Sequence, residues 1–344
     1  MSADSAEARF GAAPRSAGGV IHDIGYRRYE GERLSRGRIV LALCWHSLRS
    51  AFGIGRGIKA KIVPVLTFAI MCLPAAVDAV IVARTGTRQV SYDTYVPILR
   101  ILVMTVFLAA QAPELVSRDL RSHVLPLYFA RPISRLDYPL AKLTAFVLAC
   151  LAMIEIPLLI LYLGTIAQAH GGSAIWAQTR ALIPGLLVGL MWSVLLASIA
   201  IAIASLTGRR AYATGGIAIF FLLTFTLARI LVHVATQSAV VGPGPGPAGP
   251  KGGGPGGPPG GGSVPAHLIA PAVPAAAHLY ALISPFTVLD GVRQWLGGTN
   301  PSGIQPGGIA NPGSYGPLFG VMLLVFLGAS LAILVSRYRK VGIA

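Results

Sequence analysis

LVSRDLRSHVLPLYFARPISRLDYPLAK, residues 115–142, is a polar, basic stretch set between two long apolar segments, and its reading decides the fold. By the positive-inside rule a loop of this composition belongs on the cytoplasmic face, so the apolar flanks read as membrane spans. The loop also carries signals for structure of its own. Ser117 to Leu125 predicts a short helix with Leu120 and Val124 on one side, Arg118, Arg121 and Ser122 on the other, and Pro126 as its stop. Arg131-Pro132 turns the chain. Ser134 and Asp137 have the spacing of a capping box, in which hydroxyl and carboxylate satisfy orphan N–H groups, and Pro139 is tolerated in the first turn of the helix that follows. Such a loop reads as a docking surface. The plainer alternative is a solvated loop whose arginines only fix topology.

Working outward, the composition agrees with spans on both sides. The chain has 344 residues, of which 54% are hydrophobic and 12% charged, which is too apolar for a soluble domain. A net charge of +16 would point to nucleic acid in a soluble protein, but here the basic residues cluster at the ends of apolar segments, so the partner implied is an anionic lipid leaflet and not nucleic acid. Cys44, Cys72 and Cys150 are far apart, lack metal-ligand spacing and read as reduced packing residues. The first residues contain no apolar core of the kind a signal peptide requires, so this end is expected in the cytoplasm, as a partly disordered basic tail over residues 1–35.

Six apolar segments approach or exceed the roughly 20 residues a span requires. They run over about residues 62–83, 96–116, 140–166, 181–206, 213–235 and 316–335. Before the first, within residues 36–61, Leu41, Trp45, Leu48 and Phe52 recur at helical spacing opposite His46, Arg49 and Ser50, which predicts an amphipathic helix in the membrane interface. Six spans put both ends on one side. That topology places 21 basic residues on the cytoplasmic face and five outside, in the sense the positive-inside rule requires. Between the last two spans, residues 242–263 are almost wholly Gly and Pro and read as a disordered external loop. Residues 266–283, broken by Pro271 and Pro274, are expected to re-enter or lie on the outer surface. Ser284-Pro285 then starts a helix whose apolar face, Val288, Leu289, Val292, Trp295 and Leu296, is expected at the outer interface. The fold class is therefore an all-α integral membrane protein of six transmembrane helices.

No phosphate loop, zinc-protease motif or nucleophile elbow is present, and no catalytic constellation emerges. The residues that stand out are charges within spans: Asp78 in the first, Arg100 near the outer end of the second, Glu155 in the third and Arg229 in the fifth. At 1.5 Å per residue the four fall near one layer of the outer half. Unpaired, each would cost about 3 kcal/mol at mid-bilayer, so pairing or a water-filled cavity is expected, either as a polar lining of a transport route or as a structural ion-pair set. Glu114, at the inner end of the second span, belongs with the loop.

Several segments together resemble the permease subunits of type-2 ABC exporters, in the variety common in high-GC Gram-positive bacteria. They are Asp23-Ile24-Gly25-Tyr26-Arg27-Arg28-Tyr29-Glu30-Gly31, the interfacial helix, the loop with Glu114, Arg118 and Arg131-Pro132-Ile133-Ser134-Arg135 ending at Lys142, and Ser284-Pro285-Phe286. The resemblance implies an export subunit of a bacterial cytoplasmic membrane, without an ATPase site of its own. ATP and Mg would sit on a separate nucleotide-binding subunit, and a second permease, identical or homologous, would complete the transporter. The ATPase would seat on a coupling element formed by Ser117 to Tyr128, with Glu114, Arg118, Asp119, Leu120, Arg121, Val124, Arg131 and Arg135 as contact residues. The cargo implied is amphipathic or lipid-like. The Gly/Pro tract after Val241 departs from the family's pattern. An ion-coupled carrier in which Glu155 titrates, and a non-transporting membrane scaffold, are the rival readings.

Overall fold

The computed structural model describes residues 35–86, 97–122, 128, 133–240, 274–297 and 312–341. Residues 1–35 and 36–344 separate as two units, and the fold below is that of the second. The basic tail and the Gly/Pro tract of the sequence analysis lie outside the described residues. Regular structure among the described residues is helical: α1 (Arg36–Ala51), α2 (Ile58–Thr85), α3 (Pro97–Leu115), α4 (Ser117–Arg121), α5 (Asp137–Ile166), α6 (Gly172–Leu206), α7 (Arg210–Val240), α8 (Ala275–Ala281), α9 (Pro285–Gly297) and α10 (Gly316–Val341). Six of them, α2, α3, α5, α6, α7 and α10, are long and apolar enough to cross a membrane. This is the architecture of a multi-pass membrane protein.

The bundle is built around α3. Its Met104, Phe107, Leu108 and Ala112 are fully buried, and Phe107 stacks on Phe146 of α5 with ring centroids 6.0 Å apart. In contrast α2, α7 and α10 keep much of their apolar surface outward, with Leu73, Leu223 and Leu324 each about two-thirds exposed. An apolar exterior is what a lipid solvent permits, since burying it brings no hydrophobic gain there.

The sequence places the fourth span at residue 181, but α6 starts at Gly172 and runs for 35 residues. Gln178, Thr179 and Arg180 lower the hydropathy without stopping the helix. Thr179 shares a 2.8 Å hydrogen bond with Tyr162 of α5, which holds this polar extension against its neighbour.

Helix α1 forms as expected, with a different inward side. Leu43, Ser47 and Ala51, spaced by four, are buried against α5 and α3, and Leu48 and Phe52 pack beside them. Leu41 and Trp45 are 70% and 60% exposed. The helix carries two overlapping stripes, and its neighbours accept the one with small residues because that allows close approach. Gly53 then reverses the chain at φ 69°. A Cβ there would lie 2.7 Å from the Ala60 carbonyl oxygen, so the turn requires glycine.

Helix α9 departs most from expectation. Instead of packing on one apolar face, it is buried from Pro285 through Gln294 among α6, α7 and α10, and Trp295 and Leu296 alone of the expected stripe are exposed. Pairing within its polar side offsets part of the cost of that burial. Asp290 accepts hydrogen bonds from Arg293 Nε at 2.9 Å and Gln294 Nε2 at 2.8 Å. Its start is the expected cap, with Phe286 N–H donating to Ser284 Oγ at 3.3 Å. Phe286 then sits between Trp192 and Phe221, at 5.7 and 5.4 Å.

Candidate functional site at the basic end of the bundle

The end of the bundle that holds α1, α4 and the starts of α2, α5 and α7 is cross-linked by charge. Glu114, in the last turn of α3, is buried. Its Oε2 accepts from Arg56 Nη2 at 2.5 Å, and its Oε1 pairs with Arg210 Nη1. Arg56 comes from the Gly-Arg-Gly turn between α1 and α2, and Arg210 is the first residue of α7. One carboxylate therefore ties three segments that are far apart in sequence.

Helix α4 is held as firmly. Asp119 Oδ2 accepts from the Tyr138 hydroxyl at 2.6 Å and lies 2.9 Å from Lys142 Nζ. Tyr138 and Lys142 are one turn apart on α5, so they present on one face. The Tyr138 ring is packed between Tyr128 and Tyr338, at 5.2 and 5.5 Å, which brings the end of α10 into the same joint. Ser117 Oγ donates to the Ala204 carbonyl of α6 at 2.9 Å.

The start of α5 carries the expected capping box: Ser134 N–H donates to Asp137 Oδ2 at 2.8 Å and Asp137 N–H to Ser134 Oγ at 3.3 Å. The same carboxylate receives Arg36 Nε and Nη2, both at 2.7 Å, so the first residue of α1 is anchored to α5. The hydrogen bond to Asp137 raises the Arg36 guanidinium above its ordinary value.

Against this fixed frame Arg118, Arg121 and Arg135 are exposed, while Leu120 is half-buried against the core. The predicted division of α4 into a basic and an apolar side is therefore present. The helix is shorter than expected and ends at Arg121, and both the N–H and the Oγ of Ser122 donate to the Arg118 carbonyl, at 3.1 and 2.7 Å. Val124 and Arg131 lie outside the described residues. Two cavities, of about 950 and 760 Å³, open here and share Gly55, Arg56, Glu114 and Arg118 as walls.

Of the four span charges, Asp78 and Glu155 sit at different levels of the bundle. Gly164 of α5 lies against Ala79 of α2, where an added Cβ would come within 2.5 Å of the alanine Cβ, which fixes the level of the neighbouring Asp78. Glu155 is nine residues nearer the basic end, about 13 Å along the axis. Its carboxylate instead sits against Gly189 of α6, where a Cβ would be 2.0 Å from Oε1. Asp78 is buried, and Arg229 is on an exposed side of α7. The Arg100 side chain lies outside the described residues.

Sequence reasoning left Arg56, Tyr138, Lys142, Arg210 and the Asp290–Arg293–Gln294 set without roles. Two of these had legible signals: the four-residue spacing of Tyr138 and Lys142, and the three- and four-residue spacings within α9. Arg56 and Arg210 meet Glu114 only through tertiary packing. Among the described residues no group of three or more His, Cys, Asp or Glu side chains is arranged to hold a metal ion. What the site offers is mechanical and electrostatic: a short helix with outward arginines, rigidly joined to the ends of α3, α5, α6 and α10. No protein-family model matches the chain, and no curated protein matches it.

Proposed function

We propose that this chain is the membrane-spanning permease of an ATP-driven exporter of the type-2 ABC kind, with its basic end in the cytoplasm, both termini on that side, and α4 as the seat of a separate ATPase subunit. The observation that carries the reading is the attachment of α4. A loop that only set topology would have no need of an Asp119 tied to the buried Lys142, the Tyr138 bond and the Ser117 tie at the same turn. A partner that pushes on Arg118 and Arg121 moves α5, α6 and, through Glu114, α3 and α7 as one body.

The steps follow from this attachment. ATP and Mg bind and react on the partner, whose closure shifts α4 as a lever. The displacement passes through the ion pairs to the spans, and the equilibrium between inward- and outward-facing arrangements moves because the partner contacts differ between them. A second permease, identical or homologous, faces this one across the transport route. The cargo is amphipathic or lipid-like, in keeping with apolar span surfaces. The membrane is the bacterial cytoplasmic membrane.

The test is purification of the tagged chain from its native membrane in mild detergent, followed by a Mg-dependent ATP hydrolysis assay on the complex. A stoichiometric ATPase supports the exporter. A pure, stable chain that hydrolyses no ATP and moves cargo only with a proton gradient instead supports the ion-coupled carrier, with Glu155 as the residue to test next. A chain that does neither supports the scaffold.

A further inference from the structure

The pairing at the basic end leaves positive charge over. The larger cavity is lined by five cations, Arg56, Lys59, Arg118, Arg121 and Arg210, and by one acid, Glu114. That acid is engaged by Arg56 and Arg210. Lys59, Arg118 and Arg121 have no acidic partner among the described residues and share a single concavity. Three like charges around one cavity repel each other, and an anion placed among them relieves that repulsion while accepting charge-assisted hydrogen bonds.

The surroundings narrow the anion's identity. Lys59 is in the first turn of α2, where the first span begins, which is the level of lipid headgroups. Beside it Ile58, which also lines the cavity, is 82% exposed. A soluble partner's carboxylate entering the cleft would leave this side chain in water, whereas a lipid covers it with its own chains as its headgroup enters. A volume of about 950 Å³ holds a glycerol phosphate group with room to spare. A phosphate oxygen pair also matches the planar donor fork of Arg118 or Arg121.

We propose that this cleft binds the phosphodiester headgroup of an anionic phospholipid, held by Lys59, Arg118 and Arg121, with its acyl chains against Ile58. The bound lipid neutralises the cleft and fixes the basic end at the bilayer surface. The inference rests on the orientation given under Proposed function, but not on the existence of the ATPase.

The test uses the full chain, delipidated in non-ionic detergent and offered equal amounts of phosphatidylglycerol and phosphatidylcholine of matched chains. Native mass spectrometry reads the lipid retained. The expected result is one phosphatidylglycerol per chain, preferred by roughly tenfold. The preference is abolished in Lys59→Gln with Arg118→Gln, restored in Lys59→Arg with Arg118→Lys, and unchanged in the distal pair Arg84→Gln with Arg180→Gln. Equal loss in the distal pair, or no preference in the wild-type chain, overturns the site. Displacement of the lipid by millimolar inorganic phosphate overturns the lipid assignment in favour of a free-phosphate site. Should the double variant aggregate, Lys59→Gln alone carries the test. Lys59 has no part in the ATPase contact, so lipid loss with the ATPase retained in that variant separates the two readings.

Discussion

Lys142 Nζ lies 2.9 Å from Asp119 Oδ2, and the lysine is only 6% exposed. This pair joins α4 to the first turns of α5 across a loop, and the Tyr138 hydroxyl completes the carboxylate's set of donors. Removing one partner leaves a buried charge without its counterion, which costs about 3 kcal/mol or more, whereas removing both costs less. Asp119→Ala is therefore expected to lower the thermal midpoint in detergent more than Asp119→Ala combined with Lys142→Met. An equal or larger loss in the double variant would remove the pair from the account.

Glu114 bonds two arginines of unequal exposure, with Arg56 at 23% and Arg210 at 64%. An exposed partner contributes little because solvent screens it. Glu114→Ala should then destabilise most, Arg56→Ala next and Arg210→Ala least, read as the order of unfolding midpoints. If Arg210→Ala matched Glu114→Ala, the link to α7 would be stronger than its exposure allows.

Glu155 occupies the space in front of Gly189. A Cβ at residue 189 would lie 2.0 Å from the carboxylate oxygen and 3.1 Å from Ile154 Cγ2, so Gly189→Ala has to displace the acid. Overpacking of this kind costs about 1–3 kcal/mol. The two positions should couple: in a Glu155→Ala background, Gly189→Ala is expected to cost markedly less. Additive losses in the double-mutant cycle would place the carboxylate elsewhere.

Asp290 holds both Arg293 and Gln294 inside α9, and all three are buried. Asp290→Ala should destabilise the protein by about 3 kcal/mol, and Asp290→Leu with Arg293→Met by less, since the apolar pair leaves no buried charge behind. Protection of the α9 backbone amides from hydrogen exchange is the direct measurement. Fast exchange in the wild-type chain would mean that α9 lies on the surface after all.

These elements also show what the sequence could reveal. The six long apolar helices, the capping box of Ser134 and Asp137, the Ser284 cap and the two sides of α4 are local patterns, set by spacing within one turn or by length against the bilayer. The buried side of α1 is not local. Leu41 and Trp45 made the larger stripe, but the groove between α5 and α3 selects Ser47 and Ala51 for their size. The same limit applies to α9, whose Asp290 and Arg293 pair in the interior. For the candidate site, Arg118, Arg121 and Glu114 were legible from their place in or beside a basic loop, and Asp119 only through the resemblance. The partners that give Asp119 and Glu114 their meaning, Lys142, Tyr138, Arg56 and Arg210, are brought in by helix packing.

The central claim, that α4 couples a separate ATPase to the spans, is tested most directly by charge reversal. The tagged chain and its Arg118→Glu, Arg121→Glu double variant are purified from native membranes in parallel, and ATP hydrolysis is measured on each preparation. Both substituted side chains are exposed, so the variant is expected to fold and to keep the unfolding midpoint of the wild-type chain. The account expects an ATPase in equal amount with the wild-type chain and its loss from the variant. An ATPase retained in full by the folded variant, or none with either chain, would contradict it.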